Sequence, residues 1–140
     1  MNALRGLALT AALSAVSCRS PAACAPPASP LLLGSWKYTA TQTGANAVNG
    51  TLQITSQCGQ QFGGTLDVTQ LDASGVLRRL AGVVSGTLVD TLVDFDAYLD
   101  ATPRRHDAAV HADSMVRGQW IEQTGTVTLS GSFTSAWTSP

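Results

Sequence analysis

Four aspartates with even numbers, Asp90, Asp94, Asp96 and Asp100, alternate with the apolar residues Val93, Phe95 and Leu99. Residues two apart on a strand share a face, so this spacing gathers carboxylates on one side, the raw material of a cation site. Distance argues against one: at about 3.3 Å per residue, Asp90 and Asp100 on a single strand stand roughly 33 Å apart. Only Asp94 and Asp96 come near enough to share an ion, and a strand brings no cage of carbonyl oxygens around it. The expectation is a solvated acidic stripe, paired with Arg78 and Arg79 on the strand before and with Arg104 and Arg105 on the strand after. His106 and His111 are five apart, so on one strand they face opposite sides and cannot join in binding a metal. Placing Ala108, Val110 and Ala112 inside turns His111 outward. If Asp100 lies opposite Arg105, the same register sets Asp94 opposite His111, and the reading expects those two to be hydrogen-bonded. A His–Asp dyad needs a nucleophile beside it, and serine and threonine are too common here to single one out. No catalytic residue, metal site or cofactor is assigned, and a hydrolase is only a remote alternative.

Cysteine is the remaining reactive type, at positions 18, 24 and 58. Arg5, the apolar run Leu7 to Val16 and the small residues after it have the three parts of an export signal. The run is about ten residues long, against roughly 20 for a helix that spans a bilayer. Leu13-Ser14-Ala15-Val16-Ser17-Cys18 resembles a bacterial lipoprotein signal. The resemblance implies cleavage before Cys18, lipid on its thiol and attachment of the mature chain to a membrane. Ala15 and Ser17 also satisfy the ordinary signal peptidase, which would cut the same bond and leave a secreted protein. Arg19, with no aspartate after the cysteine, implies sorting to the outer membrane if the cell is Gram-negative. Outside the cytoplasm, Cys24 and Cys58 form the matched pair expected to make a disulfide.

Composition sets the organisation. Residues 1–17 read as the signal and 18–30, rich in proline and alanine, as a spacer that cannot bury a core. Residues 31–140 are then a single domain. Without Arg5 the chain has seven basic and nine acidic residues, 7 − 9 = −2, which offers no basic surface to nucleic acid.

From Leu31 onward the pattern has period two, broken by glycine, asparagine or aspartate at about 8 to 12 residues, as in all-β sandwiches and barrels. Trp36, Tyr38 and Ala40 alternate with polar residues, as do Leu52 and Ile54, and then Phe62, Gly64, Leu66 and Val68. Further strands are expected over Val76 to Ser85, Thr87 to Asp100, from beyond the break at Thr102-Pro103 through Ala112, Met115 to Gln123, and Thr126 to Trp137. The sum is eight antiparallel strands in an up-and-down meander, and closure into a small barrel removes its open edges. Gly34-Ser35-Trp36, Gly118-Gln119-Trp120 and Gly131-Ser132-Phe133 set a glycine beside a large ring, the small and large alternation that fills a narrow interior.

The opening Gly34-Ser35-Trp36 on the first strand of such a meander resembles the calycin group: lipocalins, avidins and the small bacterial metalloprotease inhibitors. The resemblance implies a binding barrel, with a small apolar ligand or a protein as partner. It departs from lipocalins in having no arginine or lysine after Arg117, and Lys37-Tyr38-Thr39 does not match the avidin pattern. By analogy with the inhibitors, Ala25 to Leu33 is an arm for a protease cleft. Trp36, Trp120, Phe133 and Trp137 either line a ligand cavity or fill the core, and an eight-stranded barrel has room for side chains or one small ligand.

Overall fold

The period-two pattern becomes eight strands in a computed structural model that describes residues 23–43, 47–72, 74–100 and 102–140. They are β1 (Gly34–Gln42), β2 (Ala47–Cys58), β3 (Gln61–Leu71), β4 (Leu77–Val89), β5 (Leu92–Leu99), β6 (Thr102–His111), β7 (Ser114–Thr124) and β8 (Val127–Ser139). Each pairs antiparallel with the next, and β8 returns to β1, so the sheet closes as a barrel with no free edge. The export signal and Cys18 lie outside the described residues.

Turns of two residues fix most of the joints. Gly59, Asp90, Asp100, Ala112 and Gly125 open these turns, all with φ between 48° and 61°, the left-handed region that two-residue hairpins require. Glycine and aspartate enter it readily; Ala112 has neither advantage. The turn at Asp90-Thr91 corrects the expected fifth strand, because β4 runs on to Val89 and β5 starts only at Leu92. The turn at Asp100 likewise leaves no break at Thr102-Pro103. Pro103 sits within β6 opposite Tyr98, next to the strand's start, where a missing N–H is tolerated.

The short turn also moves the β5–β6 register four residues from the expected one. Asp94 faces Asp107, Phe95 faces His106 and Asp96 faces Arg105, so the Asp94–His111 pair does not form. Asp94 is bonded instead by Arg105, at 2.7 Å. Asp90 and Asp100 leave the stripe for the turns. Arg79 pairs with Asp67 and Arg78 with Asp72, rather than with β5.

One face of every strand fills the barrel. Trp36, Tyr38, Leu52, Ile54, Leu66, Val68, Phe95, Ala97, Met115, Trp120 and Phe133 are all buried. Glycines make room for the rings, but across strands rather than along them. Gly118 lies opposite Phe133, and Trp120 opposite Gly131. A Cβ on Gly118 would meet the Phe133 ring at 2.5 Å, and one on Gly131 would meet Trp120 Nε1 at 2.7 Å. Gly86 is held between Phe62 and Phe95 in the same way.

Two bulges re-aim side chains. Between Ile54 and Ser56 the β2–β3 register slips, so the inward parity passes from Ile54 to Gln57. In β7 it slips between Met115 and Gly118, and Arg117 there has a φ of 56°. An extra residue in one strand has this effect.

Gln57 holds the segment before β1 across one end of the barrel, the end that also carries the turns at Gly59, Asp90 and Ala112. Its amide accepts from Leu32 N at 2.8 Å and donates to Ala28 O at 2.8 Å and Pro30 O at 3.3 Å. Ala28 N donates to Gly59 O, and Gly59 N to Ala25 O. Trp36 Nε1 donates to Leu32 O, and Trp137 Nε1 to Leu33 O. Leu32 is fully buried and stops this end. The expected disulfide between Cys24 and Cys58 is present, with Cα atoms 5.3 Å apart. Removing it with Cys24→Ser and Cys58→Ser is expected to lower unfolding free energy by about 2–4 kcal/mol, by freeing the unfolded chain. Gly118→Ala is expected to cost about 1–3 kcal/mol through overpacking against Phe133. Urea unfolding at neutral pH checks both, and an unchanged midpoint for Gly118→Ala would contradict the ring-and-glycine packing.

Candidate functional site

Chemistry-bearing side chains enter the barrel from β6, whose even-numbered residues point inward: Arg104, His106, Ala108 and Val110. At mid-barrel His106 is fully buried. Its ring stacks on Phe95 with centroids 4.4 Å apart and meets Phe133 edge to face at 5.1 Å. Nδ1–H donates to Arg104 O at 2.9 Å, which leaves Nε2 as the acceptor for the Tyr38 hydroxyl, also at 2.9 Å. Both ring nitrogens are thus engaged by a neutral imidazole.

Burial disfavours the charged form of each partner. It pushes the His106 pKa down to about 3, with the nearby Arg104 charge adding to the effect and the hydrogen bond to Arg104 O opposing it. It raises the Tyr38 hydroxyl well above its ordinary value, against a small opposing pull from Arg104. An unfolded histidine titrates near 6.5, so below that the unfolded chain takes up a proton that the fold refuses until about pH 3. Stability is complete above the unfolded value and falls as pH drops through this window. The histidine contribution lost between pH 7 and pH 5 is about 2 kcal/mol. In His106→Gln this part of the pH slope is expected to vanish; an equal slope in both proteins, measured by urea unfolding, would contradict a neutral core histidine. His111 is exposed, as expected.

The second group lies toward the opposite end from Leu32. Arg104 is fully buried, a place a guanidinium takes only with partners. Nε donates to Glu122 Oε2 at 3.0 Å across the β6–β7 pair. The guanidinium carbon lies 4.3 Å from the centroid of the Trp120 ring, a cation–π stack. Trp120 Nε1 donates to Thr41 O at 3.1 Å. Nη1 of Arg104 is buried with no hydrogen-bond partner among the described residues, and so is Oε1 of Gln70. Gln70 has the inward parity of Leu66 and Val68 near the end of β3. A buried donor and a buried acceptor left open at one end of a barrel are the features a ligand or an ordered water would satisfy.

The four aromatic residues singled out in the sequence do not converge. Trp36, Trp120 and Phe133 fill the core at different levels, and Trp137 is a partly exposed rim residue at the Leu32 end. Arg104 was expected on an acidic surface stripe; it points inward because it shares the parity of His106 and Ala108. That parity was readable, and the Trp120 stack was not. Grooves of about 460, 400, 320 and 240 Å³ all run over the outer face. Among the described residues no three His, Cys, Asp or Glu side chains gather as a metal site.

Neither a protein-family model nor a curated protein matches the sequence. Solved structures share the fold. EF1p2_mFAP2b bound to DFHBI is 11% identical, with a TM-score of 0.62 over 76% of this chain and 94% of that one. A redesigned β-barrel, b11L5F_LGL, is 12% identical, with a TM-score of 0.56 over 76% and 91%. A de novo designed fluorescence-activating β-barrel is 12% identical, with a TM-score of 0.54 over 76% and 93%. The chain is an all-β, eight-stranded meander barrel of this shape.

Proposed function

We propose that the protein is an exported, lipid-anchored binding module without a catalytic role, whose binding end is the one opposite the Leu32 stop. Cleavage before Cys18 and lipid on its thiol supply the anchor. The observation that carries the binding reading is the buried Arg104 guanidinium, stacked on Trp120 and bonded to Glu122, whose Nη1 has no hydrogen-bond partner among the described residues. Two of the similar barrels fit this reading: one is bound to DFHBI and another is fluorescence-activating. The central interior is packed by side chains, so a small, largely apolar ligand would sit at the mouth of the barrel, over Arg104. A protein inhibited through Ala25 to Leu33 has less support, because that segment is bonded to Gln57 and Gly59 and buries Leu32.

Native mass spectrometry of the mature protein extracted in mild detergent tests the reading. A small molecule is expected to accompany the wild type and to be lost from Arg104→Met, whose fold is checked by circular dichroism. Two empty proteins, or equal occupancy in both, would contradict a site at Arg104.

A further inference from the structure

The segment held at Cys24 and Ala25 decides how far the barrel can stand from a membrane. Between Cys18 and Cys24 lie 24 − 18 = 6 residue steps, a reach of about 20 Å at full extension. Apart from the disulfide, the segment is also held from Ala25, whose carbonyl accepts from Gly59 N, 25 − 18 = 7 steps from Cys18, or about 25 Å. The barrel is longer than the short tether. Strands of 8 to 13 residues at about 3.3 Å per residue and a tilt of about 40° give axial lengths of roughly 20–33 Å. The end pinned at Cys58 is therefore the end that a lipid on Cys18 holds nearest the bilayer, and the barrel cannot stand on its opposite end.

The pinned end carries apolar side chains suited to that position. Leu31 is 60% exposed, Leu92 63%, Val89 49% and Trp137 39%. Leu31 belongs to the stapled segment. Val89 and Leu92 face each other on either side of the Asp90-Thr91 turn. Trp137 has its indole N–H on Leu33 O and part of its ring in solvent, the amphipathic disposition that favours a membrane interface. Asp90 and Asp113 sit on turns at the same end. They favour a zwitterionic headgroup region over an anionic one.

We propose that Leu31, Val89, Leu92 and Trp137 form a membrane-contact rim, which rests the Leu32 end of the barrel on a zwitterionic lipid surface and turns the Arg104 end away from it. The proposal rests on the lipid anchor at Cys18. It assigns the exposed rim to one partner. The second apolar rim, with Val76, Leu77 and Val127, lies at the far end and stays off the membrane.

The test uses lipidated mature protein in vesicles of phosphatidylcholine and phosphatidylethanolamine brominated near the top of the acyl chain. Trp36 and Trp120 are buried, so bromine contact quenches Trp137. Strong quenching is expected in the wild type and in Leu77→Ser. It should at least halve in Trp137→Phe and in Leu92→Ser. Wild-type protein that floats with the vesicles yet is quenched no more than Trp137→Phe would overturn the rim while leaving the anchor intact. Protein that neither floats nor carries lipid by mass would remove the anchor, and the rim with it.

Discussion

An eight-stranded barrel has an interior about as wide as its own side chains, and the rest of this molecule depends on how that space is filled. Tyr38, Phe62, Phe95, His106 and Phe133 form one connected set of rings in the middle. The rings fit because Gly86 and Gly118 supply no Cβ where Phe62, Phe95 and Phe133 press on them, as Gly131 does for Trp120. His106 belongs to this set as a packing residue. Its two hydrogen bonds remove the cost of burying polar nitrogens, and its neutral form is the one that the stack on Phe95 can accept. A charged imidazole at the same place would be buried among rings with no carboxylate bonded to it.

Filling the middle leaves the two ends to differ. One is stopped by Leu32 and tied by Gln57, Trp36, Trp137 and the Cys24–Cys58 bond. Each tryptophan indole in the molecule donates to a backbone carbonyl, at Leu32, Leu33 or Thr41, so these large residues fasten the chain as well as pack it. The other end holds Arg104 between Glu122 and Trp120. A buried guanidinium with an N–H that finds no partner among the described residues is costly to maintain for stability alone. The proposed assignment of attachment to the first end and binding to the second follows from that division.

Much of the fold was legible because alternation is a local signal. Trp36, Tyr38 and Ala40, then Leu52 and Ile54, then Leu66 and Val68, face inward as the sequence implies. The Cys24–Cys58 pair was legible from number and the expected export. Register was not, since it depends on the length of one turn: reading Thr102-Pro103 as a break displaced β6 by four residues and paired Asp94 with His111. The bulge that turns Gln57 inward was hidden too, because its cause is the need to bond the segment over Leu32, which lies far away in sequence. Arg104 was hidden by its charge. Its parity with Ala108 and Val110 pointed inward, but only the folded chain shows the Glu122 and Trp120 partners that permit a cation there.

The proposed anchored barrel, with its tether stapled to one end, is tested by a single mass measurement on the mature protein from membranes. The predicted mass begins at Cys18, includes the lipid carried by that residue and is two hydrogens short of the reduced chain. A chain that keeps residues 1–17, a Cys18 without lipid, or free thiols at Cys24 and Cys58 would contradict it.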